Sequence, residues 1–176
     1  MRTDMKRTLI AIALLLSAAF SAQAQRVGLI DTEQILARIP AYISAQEQLN
    51  ALNDKYKATI EAELGRIETL YNNYQANRAS MTAAQRQSAE NEIIQKERVV
   101  QEKQKIYFGE DGIMAKKAEE LLAPIRSRVD RAVEAVAKQG RYDLILDLAA
   151  IQGVVYKNDA IILTDLVTEL VLATEN

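Results

Sequence analysis

A chain of 176 residues with neither histidine nor cysteine has no imidazole base, no thiolate and no His/Cys metal cluster to offer. Its 22 Lys and Arg against 24 Asp and Glu give a formal net charge of −2, without a basic block, which makes nucleic acid a poor partner. Disulfides are excluded as well, so packing has to supply the stability.

The N-terminus carries an export pattern. Arg2, Lys6 and Arg7 precede an apolar run from Thr8 to Phe20, and Ala22-Gln23-Ala24 supplies the small-x-small cleavage site. The run falls short of the ~20 residues needed to cross a bilayer. Residues 1–24 therefore read as a signal peptide cleaved after Ala24, leaving an exported chain that begins at Gln25 and has no stable membrane insertion. Cleavage discards three basic residues and only one acidic one, so the mature chain is more acidic than the whole.

Arg26 to Asp31 predicts a short strand, after which Asp31 with Gln34 caps a short helix that stops near Ile39, before Pro40. Pro40 and Pro124 are the only two prolines, and they stand equidistant from Thr82. Proline in a helix interior costs about 3 kcal/mol. The proline-free, charge-rich span of residues 40–124 thus reads as a long antiparallel helical hairpin. Arms of about 40 residues reach on the order of 60 Å, farther than a small body needs for its own core.

Ser44 with Glu47 offers a capping box for the outgoing arm, whose apolar positions run Leu49, Leu52, Tyr56, Ile60, Leu64, Ile67, Tyr71 and Tyr74. Leu49, Ile60 and Tyr71 stand eleven apart, a period that predicts little left-handed supercoiling. Thr82 with Gln85 is a further capping box and places the turn within about Asn77 to Thr82. On the return arm Ile93, Val100 and Tyr107 recur every seven residues, but the complementary positions are Lys96 or Glu97 and Lys103 or Gln104. That seam is half polar and weak beside a full coiled coil. Gly65, Gly109, Gly112 and Pro124 are the expected hinges.

Beyond Gly112, a stripe of Met114, Ala118, Leu121, Ile125, Val129, Ala132 and Val136 predicts a helix kinked at Pro124 and closed by Gly140 in the left-handed conformation. Tyr142 to Leu148 alternates like a strand with Tyr142, Leu144, Leu146 and Leu148 on one face. Val154-Val155-Tyr156 predicts another strand, and Thr164 a cap for a last helix burying Leu166, Val167, Leu170 and Val171. The fold class is mainly α with a small β body, residues 25–39 and 125–176. Three short strands bury too little to anchor such arms alone. Oligomerisation through a shared sheet, with Val27, Leu29, Leu144, Leu146 and Val155 at the interface, would also close the strand edges.

For chemistry, Asp31, Asp143 and Asp147 are the best carboxylate constellation, with caps and turns as the competing reading. Gly109-Glu110-Asp111-Gly112 lacks the Lys and Ser/Thr of a phosphate-binding loop. No catalytic residue, cofactor or metal is expected. Toward the tip, Leu64, Ile67, Tyr71, Tyr74 and Met81 are candidates for contact with a bound client, weighed against simple packing between the arms.

The sequence VGLIDTEQILARIP, the long hairpin, FGEDGIMAKKAEELLAPI, YDLILD, VVY and LTDLV, in this order across the mature chain, together resemble the OmpH-like periplasmic chaperone family. The resemblance implies a homotrimer whose short strands form a central β-barrel. Three helical tentacles would enclose a cavity that holds unfolded outer-membrane β-barrel proteins without ATP, in the periplasm. One departure stands out: the best-known member is strongly basic, and this chain is acidic. A structural coiled-coil spacer or scaffold of the cell envelope is the alternative, and it would call for stiffer, unbroken heptads.

Overall fold

The computed structural model describes residues 25–174; the expected signal peptide lies outside them. The element order is β1 (Val27–Ile30), α1 (Thr32–Ala37), α2 (Pro40–Asn77), α3 (Ala83–Phe108), α4 (Ile113–Gly140), β2 (Leu144–Asp147), a 3-10 turn (Asp159–Ile161) and α5 (Thr164–Ala173). The architecture is mainly helical, with a two-stranded sheet and a hairpin whose outgoing arm alone spans 38 residues. At ~1.5 Å per residue that arm is on the order of 57 Å long.

The body forms where both ends of the hairpin meet. β1 and β2 pair in parallel, Val27 opposite Leu144 and Leu29 opposite Leu146, so the whole hairpin is the crossover that a parallel pair requires. Helices α1, α4 and α5 cover one side of the sheet. Ile35, Ile39, Val167 and Val171 are fully buried there and pack with Ile30, Ile125, Val129, Ala132 and Val136. A second, separate core of Ile60, Ile67, Tyr74, Ile93 and Val100 lies far out in the hairpin. Removing Ile39 or Val167 would therefore strike the body, and removing Ile67 only the arm.

Several local expectations hold. Asp31 Oδ1 accepts the Gln34 N–H at 3.0 Å, and the Thr82–Gln85 capping box is complete, with bonds of 3.2 and 2.8 Å. Others are corrected. The outgoing arm starts at Pro40, not at Ser44: proline occupies the first helical turn, where its missing N–H has no partner to lose. Gly140 is the last helical residue, and the left-handed cap is Arg141 at φ 51°. Glycine is needed at 140 for space, because a Cβ there would stand 2.2 Å from the Tyr142 ring. That ring in turn lies under the Arg26 guanidinium, 4.9 Å from its centroid.

The C-terminal region departs further. Thr164 does not cap α5; its hydroxyl accepts the Asp31 N–H at 3.1 Å, tying β1 to α5, and Leu163 takes the cap position. Leu166 is exposed, and the buried position is Thr168, whose hydroxyl bonds the Thr164 carbonyl at 2.7 Å. Val154-Val155-Tyr156 forms no strand in the single chain, and Val155 is 98 % exposed. A strand without a neighbour has no ladder to hold it. On its other side β1 instead bridges Ile162, with the Leu163 N–H bonded to the Leu29 carbonyl at 2.7 Å.

Candidate functional site

The hairpin is the part of the chain whose length its own core does not explain, and its surface is set by the register of the two arms. Tyr56 stacks on Tyr107, centroids 4.1 Å apart at 12°, and Phe108 meets both rings edge-on. Farther out, Lys103 Nζ bonds Glu63 Oε1 at 2.7 Å across the seam. That bond and the charge of Lys103 hold the Glu63 carboxyl below its ordinary value. Near the tip the Tyr74 hydroxyl donates to Glu90 Oε1. This bond, with some burial, raises the Tyr74 phenol above its usual value.

These three contacts fix which residues face inward. Ile60, Ile67 and Tyr74 on α2 meet Ile93, Val100 and Tyr107 on α3. The heptad spacing foreseen on the return arm is therefore its true seam. On the outgoing arm the eleven-residue step from Leu49 to Ile60 holds, but the next one fails: the buried residue is Tyr74, not Tyr71. From Ile60 outward α2 adopts sevens to match its partner.

The consequence for the five candidate contact residues is a division. Ile67 and Tyr74, each 7 % exposed, are seam residues, and Met81 packs partly against the same core. Leu64 and Tyr71, 47 % and 50 % exposed, stand on one flank of the seam. The flank continues on α3. Lys57, Glu61, Gln104 and Phe108 line one groove of about 400 Å³ floored by Ile60. Steps of three and four residues carry the same face outward, through Leu64, Glu68 and Tyr71 on α2 and through Gln101, Glu97 and Ile94 on α3. The register places Leu64 opposite Gln101, Glu68 opposite Glu97 and Tyr71 opposite Ile94. Exposed Ile94 and Phe108 belong to this face and were not legible as such in the sequence. Ile94 follows a seam residue by one position, a signal that only a fixed register turns into a side.

The α3–α4 break is tightly built. The Gly109 N–H bonds the Lys105 carbonyl at 2.9 Å, and the Gly112 N–H bonds the Gly109 carbonyl at 2.9 Å. A Cβ at Gly109 would meet the Lys105 carbonyl oxygen at 2.4 Å, and one at Gly112 would meet backbone at 2.8 Å. Around Gly65 a Cβ would meet nothing within 4 Å, so that glycine answers no packing need and costs helix stability of about 1 kcal/mol. Helix α4 continues through Pro124, which is exposed.

The sheet has a second face. Side chains alternate along a strand, so Val27, Leu29, Leu144 and Leu146, which are paired in register, share the side opposite Ile30 and Ile145, which belong to the core. Four of the five residues expected at an interface between copies thus lie on one side of the sheet, where Leu29 is already buried within the single chain; Val155 lies in the exposed segment beyond β2.

The three aspartates are caps and ties. Asp143 Oδ2 accepts the Arg26 N–H at 2.8 Å, and Asp31 caps α1. Asp147 accepts the Thr32 N–H at 3.0 Å, the Thr32 hydroxyl at 2.6 Å and the Ala149 N–H at 3.1 Å. Among the described residues no group of acidic side chains is placed to hold a metal ion, and no helix is long and apolar enough to cross a membrane. Burial pushes the Asp147 carboxyl up, but the three hydrogen bonds outweigh it and leave it below its ordinary value. A depressed folded-state value adds stability above the unfolded value near 4, and this is lost as pH falls through the folded one. Asp147→Asn is expected to cost about 1–2 kcal/mol at pH 7. Urea unfolding at pH 7 and pH 3 checks this: the gap between variant and wild type narrows in acid, and an equal gap at both pH values refutes the assignment.

Comparison with known proteins agrees with this architecture. The family model described as outer membrane protein (OmpH-like) matches residues 26–171. A similar protein is the chaperone protein Skp of Yersinia enterocolitica, 25 % identical over 140 residues, which cover 80 % of this chain and 84 % of that one. The fold is similar to the crystal structure of a Caulobacter crescentus protein described as an outer membrane chaperone (OmpH-like). The TM-score is 0.66 at 13 % identity, covering 88 % of each chain.

Proposed function

The chain belongs to the OmpH-like family, and from that premise we propose that it is a periplasmic holdase chaperone that binds unfolded outer-membrane proteins between its arms without ATP. One observation carries this reading. A hairpin whose outgoing arm alone spans 38 residues presents Leu64 and Tyr71 on α2 and Ile94 and Phe108 on α3 to solvent along one flank, beyond any need of the body's core. Exposed apolar side chains at intervals beside an open groove suit many different unfolded segments better than one folded ligand.

The working unit is a homotrimer. The outward sheet face of Val27, Leu29, Leu144 and Leu146 and the unpaired segment around Val155 supply what neighbouring copies need to close a small barrel, with residues 40–124 projecting from it as tentacles. Closure removes the free edge of β2 and gives Val154 to Tyr156 a ladder to join. Gly65 is the soft point of the outgoing arm, while Gly109 and Gly112 set a defined offset between α3 and α4 and Pro124 marks the passage into the body. Residues 1–24 would direct export.

The test is dilution of a denatured outer-membrane β-barrel protein into buffer containing the mature protein, with and without ATP, followed by light scattering. Aggregation is expected to be suppressed equally in both. Absence of suppression, or a requirement for ATP, overturns the reading.

A further inference from the structure

Only Gln25 and Arg26 separate the expected cleavage site from the first strand, which opens at Val27 opposite Leu144. Arg26 already carries structure. Its N–H donates to Asp143 Oδ2 at 2.8 Å, and its carbonyl accepts the Asp143 N–H at 2.9 Å and the Leu144 N–H at 3.4 Å. Its guanidinium lies 4.9 Å from the centroid of the Tyr142 ring. Arg26 is thus the clamp from which the β1–β2 ladder starts. Gln25 is its opposite: it is exposed, and neither its backbone nor its side-chain amide has a hydrogen-bond partner among the described residues.

Resting on the export reading of residues 1–24, we infer that Gln25 is a modification site: once the chain is cut after Ala24, the freed α-amine closes on its own side chain to give an N-terminal pyroglutamate. The lone pair of the α-nitrogen attacks Cδ, the N–Cδ bond forms and the Cδ–Nε2 bond breaks. One proton of the amine leaves with Nε2, so the nitrogen departs as ammonia and a γ-lactam remains. The step takes no oxidant, metal or co-reactant. Both reacting groups belong to one residue, which spares the step the entropy of bringing two partners together. The attacking form is the neutral amine, and with an ordinary α-amino pKa of about 7.7–8.0 roughly a tenth of it is neutral at pH 7. Ring closure turns only bonds of Gln25 itself, and since no hydrogen bond holds that side chain, the fold does not oppose it. An enzyme that assists closure changes the rate and not the product.

The lactam removes the primary amine that an aminopeptidase must grip, together with its positive charge. Without that block, trimming has to remove only Gln25 to reach the clamp. Loss of Arg26 would then take away its hydrogen bonds to Asp143 and Leu144 and its contact with Tyr142. Chain ends fray and are nicked unless they are tied down, and with no cysteine in the chain no disulfide can hold β1 in place. A cyclised Gln25 therefore guards the edge of the body at its narrowest margin.

The experiment expresses the full chain in an exporting bacterial host, purifies the mature protein, and reads intact and fragment masses before and after prolonged incubation at neutral pH. The expected mass is that of residues 25–176 less one ammonia, with the loss located on the first residue, and an aminopeptidase leaves this chain at full length. Gln25→Ala keeps a small residue after the cleavage site; it is expected to be cut at the same place, to show no loss of ammonia, and to be shortened by the same aminopeptidase. A chain cut after Ala24 whose Gln25 amine stays open through the incubation overturns the inference and leaves the export reading standing. Loss of ammonia located at another glutamine or an asparagine overturns it as well, and shortening of the cyclised wild type overturns the guarding role. A purified protein that retains residues 1–24 removes both the modification and the export reading.

Discussion

Leu144→Asp is expected to convert an assembled trimer into folded monomers. Leu144 is 49 % exposed in the single chain, and it sits on the sheet face turned away from the helical core, in register with Val27. An aspartate there stays hydrated in an isolated copy and costs the body little. Between copies the same carboxylate would be buried without a partner, a penalty of several kcal/mol repeated at every copy. Sedimentation at micromolar concentration reads the mass, and circular dichroism reads whether the helices persist. A variant that remains trimeric moves the interface off this face. A wild-type protein that sediments as a monomer removes the trimer altogether.

Replacing Leu64, Tyr71 and Ile94 together with serine is expected to weaken client holding by roughly two orders of magnitude, at about 1 kcal/mol for each partly covered side chain. The arms should remain as well formed as before, since none of the three belongs to the seam. Ile67→Ala with Tyr74→Ala makes the opposite case. Both side chains are buried between the arms, so their loss costs about 2–5 kcal/mol each in local stability and opens the hairpin. Client affinity measured beside amide hydrogen exchange in α2 and α3 separates the two. The serine variant loses affinity with protection unchanged, and the alanine variant loses protection first. Unchanged affinity in the serine variant places the grip elsewhere.

How much of this was legible beforehand depended on whether the deciding interaction was local. Pro40, the Thr82–Gln85 box and the sevens of Ile93, Val100 and Tyr107 act within a few residues of themselves, and the hairpin followed from them. Tyr71 and Tyr74 are one helical turn apart with nearly equal apolarity, so only the partner arm could decide which turns inward. Gly140 appeared to be a conformational glycine because its reason, the Tyr142 ring packed over it, arises from the chain's reversal after α4. Val154 to Tyr156 has the composition of a strand, yet strand formation needs a neighbour that one copy does not provide. The apolar character of the exposed flank was legible in Leu64 and Tyr71; its Ile94 and Phe108 positions were not. Those depend on the offset between α2 and α3 that Tyr56, Tyr107, Glu63 and Lys103 establish.

The parallel pairing of β1 with β2 also bears on the order in which the chain can fold. Paired residues of the two strands such as Val27 and Leu144 lie 117 positions apart, and contacts of such range are reached slowly from an open coil. Here the intervening chain is not a loose loop. Once the Thr82 turn nucleates, α2 and α3 can zip toward the body through contacts that are never far apart along the growing hairpin. Each turn added shortens the span that remains to be closed. By the time Tyr56 meets Tyr107, 51 of the 117 positions that separate Val27 from Leu144 are enclosed in the zipped hairpin, and β1 and β2 have a shorter gap left to close. The long arm, read above as a gripping surface, is in this sense also the splint on which its own base is assembled.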